Sequence, residues 1–116
     1  MAIEGRSAGG LLVGAVLNDR PDLFRAAVAG VAFVDLMVSM CDPSIPLTTE
    51  EWEEWGNPNE EKFFEYMKSY CPMSNVAAKA YPDVLITGKG VDGHIYFLRI
   101  PPVFSLYTSF NFRIWC

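Results

Sequence analysis

The pentapeptide Gly5-Arg6-Ser7-Ala8-Gly9 is the feature that most restricts what this chain can become. A G-x-S-x-G run ahead of an apolar segment suits a sharp strand-to-helix turn that exposes the serine hydroxyl. Its glycines keep a β-carbon from colliding with the neighbouring strand or helix. Residues 1–4 are the remnant of a feeding strand. Residues 8–18 are small or aliphatic and predict a buried helix of about three turns, stopped at Asn18-Asp19-Arg20-Pro21 because proline cannot extend it. The five residues alone read equally as a glycine-rich turn before a buried helix; the helix is present in the sequence and the strand only half so.

The rest of the chain alternates. FRAAVAGVAFV, residues 24–34, predicts a short helix entering a buried strand around residues 27–32. Residues 42–49 hold Pro43 and Pro46 and predict a loop, and the stretch from Glu50 to Pro58 extends it as an acidic loop. Residues 59–69 predict a helix with Phe63, Phe64, Tyr66 and Met67 on its apolar side. Cys71-Pro72 opens another loop, and residues 84–88 (VLITG) predict a buried strand after Pro82. Beyond Lys89 the sequence is rich in aromatic residues and has no clean helical or alternating period. Helix, strand, acidic loop, helix and strand in that order imply an α/β layout, a parallel sheet with flanking helices. The 116 residues leave room for one small domain.

Composition removes several function classes. With 51% hydrophobic and 20% charged residues the chain is globular rather than disordered. A net charge of -5 argues against nucleic acid as a partner and leans towards a basic one. Cys41, Cys71 and Cys116 show no metal-ligand spacing and His94 is the single histidine, so neither a metal nor a cofactor is expected. The cysteines are expected to be buried, reduced thiols. No apolar stretch reaches the roughly 18–20 residues that span a bilayer, so no membrane partner is expected. The N-terminus has no basic region leading an apolar run, which makes a cytoplasmic location the default expectation.

Three longer runs carry a resemblance. GRSAGGLLVGAVLNDRPDLFRAAVAGVAFVD, DPSIPLTTEEWEEWGNPNEE and YMKSYCPMSNVAAKAYPDVLITG resemble the catalytic domain of the prolyl oligopeptidase family, and within it the oligopeptidase B branch. The resemblance covers residues 2–88 and implies a partial α/β-hydrolase domain there, followed by a divergent aromatic-rich tail, residues 89–116. It implies a serine peptidase that cleaves short peptides after basic residues. Ser7 falls on the family nucleophile and Ala8 on the residue whose backbone N–H donates to the oxyanion. Glu51 and Glu53 fall on two carboxylates that face the substrate's basic side chain, a chemistry suited to bidentate pairing with arginine. Read without the resemblance, residues 50–54 are a solvated acidic loop.

The family aspartate lies just past the strand read at residues 84–88, and counting from Thr87 brings Asp92 to its position, although the Pro-Arg-Val expected after it is absent. The family histidine lies several tens of residues further on. His94 sits two residues from Asp92, where an extended segment puts alternate side chains on one face, but no family pattern places the histidine there, and it reads as a loop residue. The chain as written is therefore expected to be a fragment without its triad histidine and catalytically silent. The alternative is a non-catalytic product that self-associates through exposed sheet edges.

Overall fold

In the computed structural model, residues 1–89 and 95–100 are described, with side chains for residues 1–88. Asp92, His94 and Cys116 lie outside the described residues. Four strands form one sheet in the order β1 (Ala2–Arg6), β2 (Ala26–Gly30), β3 (Asp83–Lys89) and β4 (Ile95–Ile100). β1, β2 and β3 are parallel, with Glu4 beside Val28 and Val28 beside Leu85. Parallel neighbours need crossovers. Helix α1 (Ala8–Asp19) supplies the first; α2 (Leu36–Cys41), α3 (Thr48–Trp55) and α4 (Glu61–Tyr70) supply the second.

α1 has almost no polar side because it is packed from two directions. Val13 and Leu17 join Ala27, Ala29 and Val84 against the sheet. Leu11 faces the helical layer, where it packs with Leu36, Met40, Met67 and Cys71. The small residues of β2 allow the close approach: Ala27 and Ala29 are buried while their neighbours are half-buried. Gly14 serves the other contact, since a β-carbon there would lie 2.8 Å from the ring of Pro72. Asn18 ties the segment before β3 to the end of α1. Its amide donates to Pro72 O (2.8 Å) and its carbonyl oxygen accepts from the Tyr81 hydroxyl (2.8 Å).

The α/β architecture read from the sequence stands, with a three-stranded parallel sheet and helices, but several elements differ. The stretch expected as an acidic loop is helix α3, which also takes Thr48 and Thr49 from the predicted loop. Its glutamates are good helix formers, Glu50 and Glu51 in the first turn favour the positive end of the helix dipole, and Thr48, Trp52 and Trp55 supply a packing side. The helical turn expected just before β2 occurs earlier, as a 3-10 turn at Pro21–Leu23. α2 was not anticipated; Asp35 caps it by accepting from Val38 N at 3.3 Å. β4 was likewise unanticipated and runs antiparallel to β3, with Val84 beside Ile100.

The thiols are only partly as expected. Cys71 is fully buried, whereas Cys41, at the end of α2, is exposed. Burial alone would raise the Cys71 thiol. Hydrogen bonds from the Ser74 side chain and backbone, and from the N–H groups of Met37 and Leu36, outweigh it and hold the thiol below its ordinary value.

Candidate active site

Ser7 sits between β1 and α1 in a conformation that non-glycine residues seldom adopt, φ 54° and ψ -122°. Three backbone hydrogen bonds hold it there. Its N–H donates to Gly30 O at the end of β2 (2.9 Å), and its carbonyl accepts from Gly10 N (2.9 Å) and Leu11 N (3.1 Å). The serine side chain is thereby left exposed at the carboxyl end of the parallel strands, where α/β folds place their ligands. Strain of this kind persists only where the surroundings over-determine it, and it concentrates at functional sites.

The glycines around the serine are unequal. A β-carbon on Gly5 would run into the Gly9 carbonyl and lie 2.8 Å from Val13 Cγ2. One on Gly10 would collide with the Ala32 side chain and lie 3.3 Å from Gly30 O. One on Gly9 would meet nothing within 4 Å. The steric requirement thus falls on Gly5 and Gly10, not on both glycines of the pentapeptide.

α1 begins at Ala8, so the Ala8 N–H belongs to the first turn, whose donors have no intrahelical acceptor. Beside it opens a cleft of about 310 Å³ whose lining includes Ser7, Ala8, Phe33, Leu47, Glu51 and Trp55, together with Thr48, Ser39 and Met40. The Phe33 and Trp55 rings, 5.7 Å apart at 56°, form an aromatic side. Glu51 is half-buried at the cleft, whereas Glu53 is exposed and does not line it. Helical geometry explains the split: at about 100° per residue, Glu53 lies about 160° around α3 from Glu51. Thr48, Glu51, Trp52 and Trp55 share an arc of about 100° on the packed side.

Phe33, Leu47 and Trp55 were not singled out from the sequence. Trp55 follows Glu51 by four residues and would have been placed beside it had the stretch been read as a helix. Among the described residues no group of three His, Cys, Asp or Glu side chains is arranged to hold a metal ion, and no helix is long and apolar enough to cross a membrane.

The sequence pattern described as the prolyl oligopeptidase family matches residues 1–97. The chain belongs to the prolyl oligopeptidase family. "Protease 2" of Moraxella lacunata is 56% identical over 87 residues, which are 75% of this chain and 13% of that protein. Oligopeptidase B from Leishmania major superposes with a TM-score of 0.71 at 70% identity, covering 73% of this chain and 12% of that one. Oligopeptidase B from Trypanosoma brucei, in its closed form with covalently bound antipain, does so with a TM-score of 0.71 at 73% identity and the same coverages. The chain therefore spans about an eighth of the length of these relatives.

Proposed function

We propose that this chain carries the nucleophile segment of a peptidase of the oligopeptidase B type, with Ser7 as nucleophile, Ala8 N–H as an oxyanion donor and Glu51 as the carboxylate that meets a basic side chain before the scissile bond. The observation that supports this reading is the shared cleft: the strained, exposed Ser7, Ala8 at the start of α1 and half-buried Glu51 line one space.

In the reaction, Ser7 Oγ attacks the peptide carbonyl carbon and gives its proton to a histidine base. The carbonyl oxygen becomes an oxyanion that the Ala8 N–H stabilises. Collapse expels the amine, which takes the proton from that histidine, and water then releases the acyl group by the same path. Short peptides carrying Arg or Lys are the proposed substrates, since a half-buried carboxylate beside aromatic rings suits a cation. Glu53, on the exposed side of α3, adds negative charge only at longer range. A cytoplasmic site of action belongs to the same proposal.

No histidine is among the described residues, and Asp92 as the triad aspartate is part of the proposal only through its position in the sequence. The 116-residue chain by itself is proposed to be silent, because a serine hydroxyl without a base is a poor nucleophile. The test is to challenge that chain with a fluorophosphonate probe and an arginyl peptide. Labelling that vanishes in Ser7→Ala, with turnover, overturns the silence. In a chain extended to the length of its relatives, Glu51→Gln should cut kcat/KM for arginyl over neutral peptides by roughly 30-fold, the low end for losing one partner of a partly desolvated charge pair. An unchanged preference removes Glu51 from the site.

A second reading, association through a sheet edge, is favoured by the position of β1 at the end of the strand order. A concentration-independent monomer in sedimentation would refute it.

A further inference from the structure

Helix α3 has four glutamates, Glu50, Glu51, Glu53 and Glu54, spread over about 160° of its circumference. Only Glu51 lines the Ser7 cleft; the other three are exposed. Charge does not choose among them, because rotating α3 about its axis would bring another carboxylate to the cleft. Something else fixes the rotation.

Two side chains one turn apart do so. Thr48, buried to 5% exposure, donates its hydroxyl to Ser39 O at 3.1 Å. Trp52 donates its indole N–H to Met40 O at 3.0 Å. Ser39 and Met40 lie in the last turn of α2, whose carbonyls have no donors within that helix. α3 thus caps α2 from the side with two adjacent bonds. A single bond would act as a pivot, whereas two bonds separated by a helical turn set both rotation and height. Leu47, which leads into α3 in the left-handed region (φ 71°), makes a sharp entry that the pair of bonds holds in place.

We propose that Thr48 and Trp52 are positioning residues for charge recognition, capping α2 so that α3 presents Glu51, and not its three neighbours, to the Ser7 cleft. The inference rests on the reading of Glu51 as the recognising carboxylate.

The test uses the full 116-residue chain and two probes of nearly the same shape, cationic benzamidine and neutral benzamide, with affinities measured by ligand-observed NMR. Wild type should prefer benzamidine, and Glu51→Gln should remove the preference. Trp52→Phe keeps the ring and removes the N–H; Thr48→Val keeps the shape and removes the hydroxyl. Each should lower the benzamidine-to-benzamide ratio by about fivefold, the worth of one ordinary hydrogen bond. Thr48→Ser should restore the ratio, and Glu50→Gln should leave it unchanged. A merely structural role would weaken both probes together and leave the ratio alone, which overturns the proposal. Should Trp52→Phe not fold, the Thr48→Val and Thr48→Ser pair decides. A ratio that falls in Glu51→Gln but holds in Trp52→Phe and Thr48→Val refutes the positioning role and spares the Glu51 reading. A ratio untouched by Glu51→Gln, or absent in wild type, overturns both.

Discussion

Gly5→Ala should destabilise the chain by about 3 kcal/mol, and Gly9→Ala, four residues away in the same pentapeptide, should not. The added methyl at Gly5 would lie 2.8 Å from Val13 Cγ2, short of the roughly 3.5 Å of ordinary carbon contact. It would also run into the Gly9 carbonyl, and that second clash sets the magnitude. A side chain relieves a bad contact by changing rotamer, but a carbonyl in the first turn of α1 can retreat only if β1 and α1 separate. Their contact is tied to the sheet by the bond from Ser7 N to Gly30 O and to the core by fully buried Val13. Overpacking costs typically 1–3 kcal/mol, and the upper end applies where backbone must move. At Gly9 the methyl meets nothing within 4 Å, so the helix preference for alanine should leave that variant unchanged or about 0.5 kcal/mol more stable. Urea unfolding followed by far-ultraviolet circular dichroism reads both. With a slope of about 1.5 kcal/mol/M, the Gly5→Ala midpoint should fall by about 2 M. A Gly5→Ala midpoint within about 0.3 M of wild type, or a Gly9→Ala loss as large as that of Gly5→Ala, refutes the steric argument.

Val31 is β-branched with φ 46° and is 40% exposed, so Val31→Gly relieves left-handed strain of about 1–2 kcal/mol against about 0.5–1 kcal/mol of added unfolded-state entropy. The melting temperature should rise by a few degrees, and a fall would show that the valine side chain matters more than its backbone. Asn18→Ala removes the bonds to Pro72 O and from the Tyr81 hydroxyl and should cost about 2–3 kcal/mol in urea unfolding. Tyr81→Phe should cost about 1 kcal/mol, and the pair less than the sum because they share a bond. The Ser44 hydroxyl, then the Ser44 N–H, hold the Asp42 carboxyl below its ordinary 3.8. A depressed folded value means that this stabilisation is complete above 3.8 and is lost as pH falls through the folded value. Ser44→Ala should bring the Asp42 midpoint back up towards 3.8 in an NMR titration, and an unmoved midpoint would remove the hydroxyl as the cause.

The turn at Ser7 was legible because its requirements are local: glycines two residues before and two after a serine, then an unbroken apolar helix. The parallel layout followed for a similar reason, since short apolar runs separated by helical stretches leave few other arrangements. The helix α3 was not legible. Its stretch of glutamates and tryptophans satisfies the description of a solvated loop as well as that of a helix until α2 supplies two carbonyls for Thr48 and Trp52 to cap. α2 itself is six residues long and depends on the Asp35 cap, too short to stand out by period.

By itself the sequence determined a glycine-bounded turn at Ser7 opening a buried helix that stops ahead of Pro21, because glycine content and proline stops act within a few residues. Which glycines the turn needs, which glutamate faces the serine, and that β4 closes against β3 were decided only by the tertiary structure. Those choices depend on atoms far apart in the chain, such as Gly10 against Ala32 and Val31 N–H on Thr87 O, whose separation becomes defined only when the sheet and helices pack.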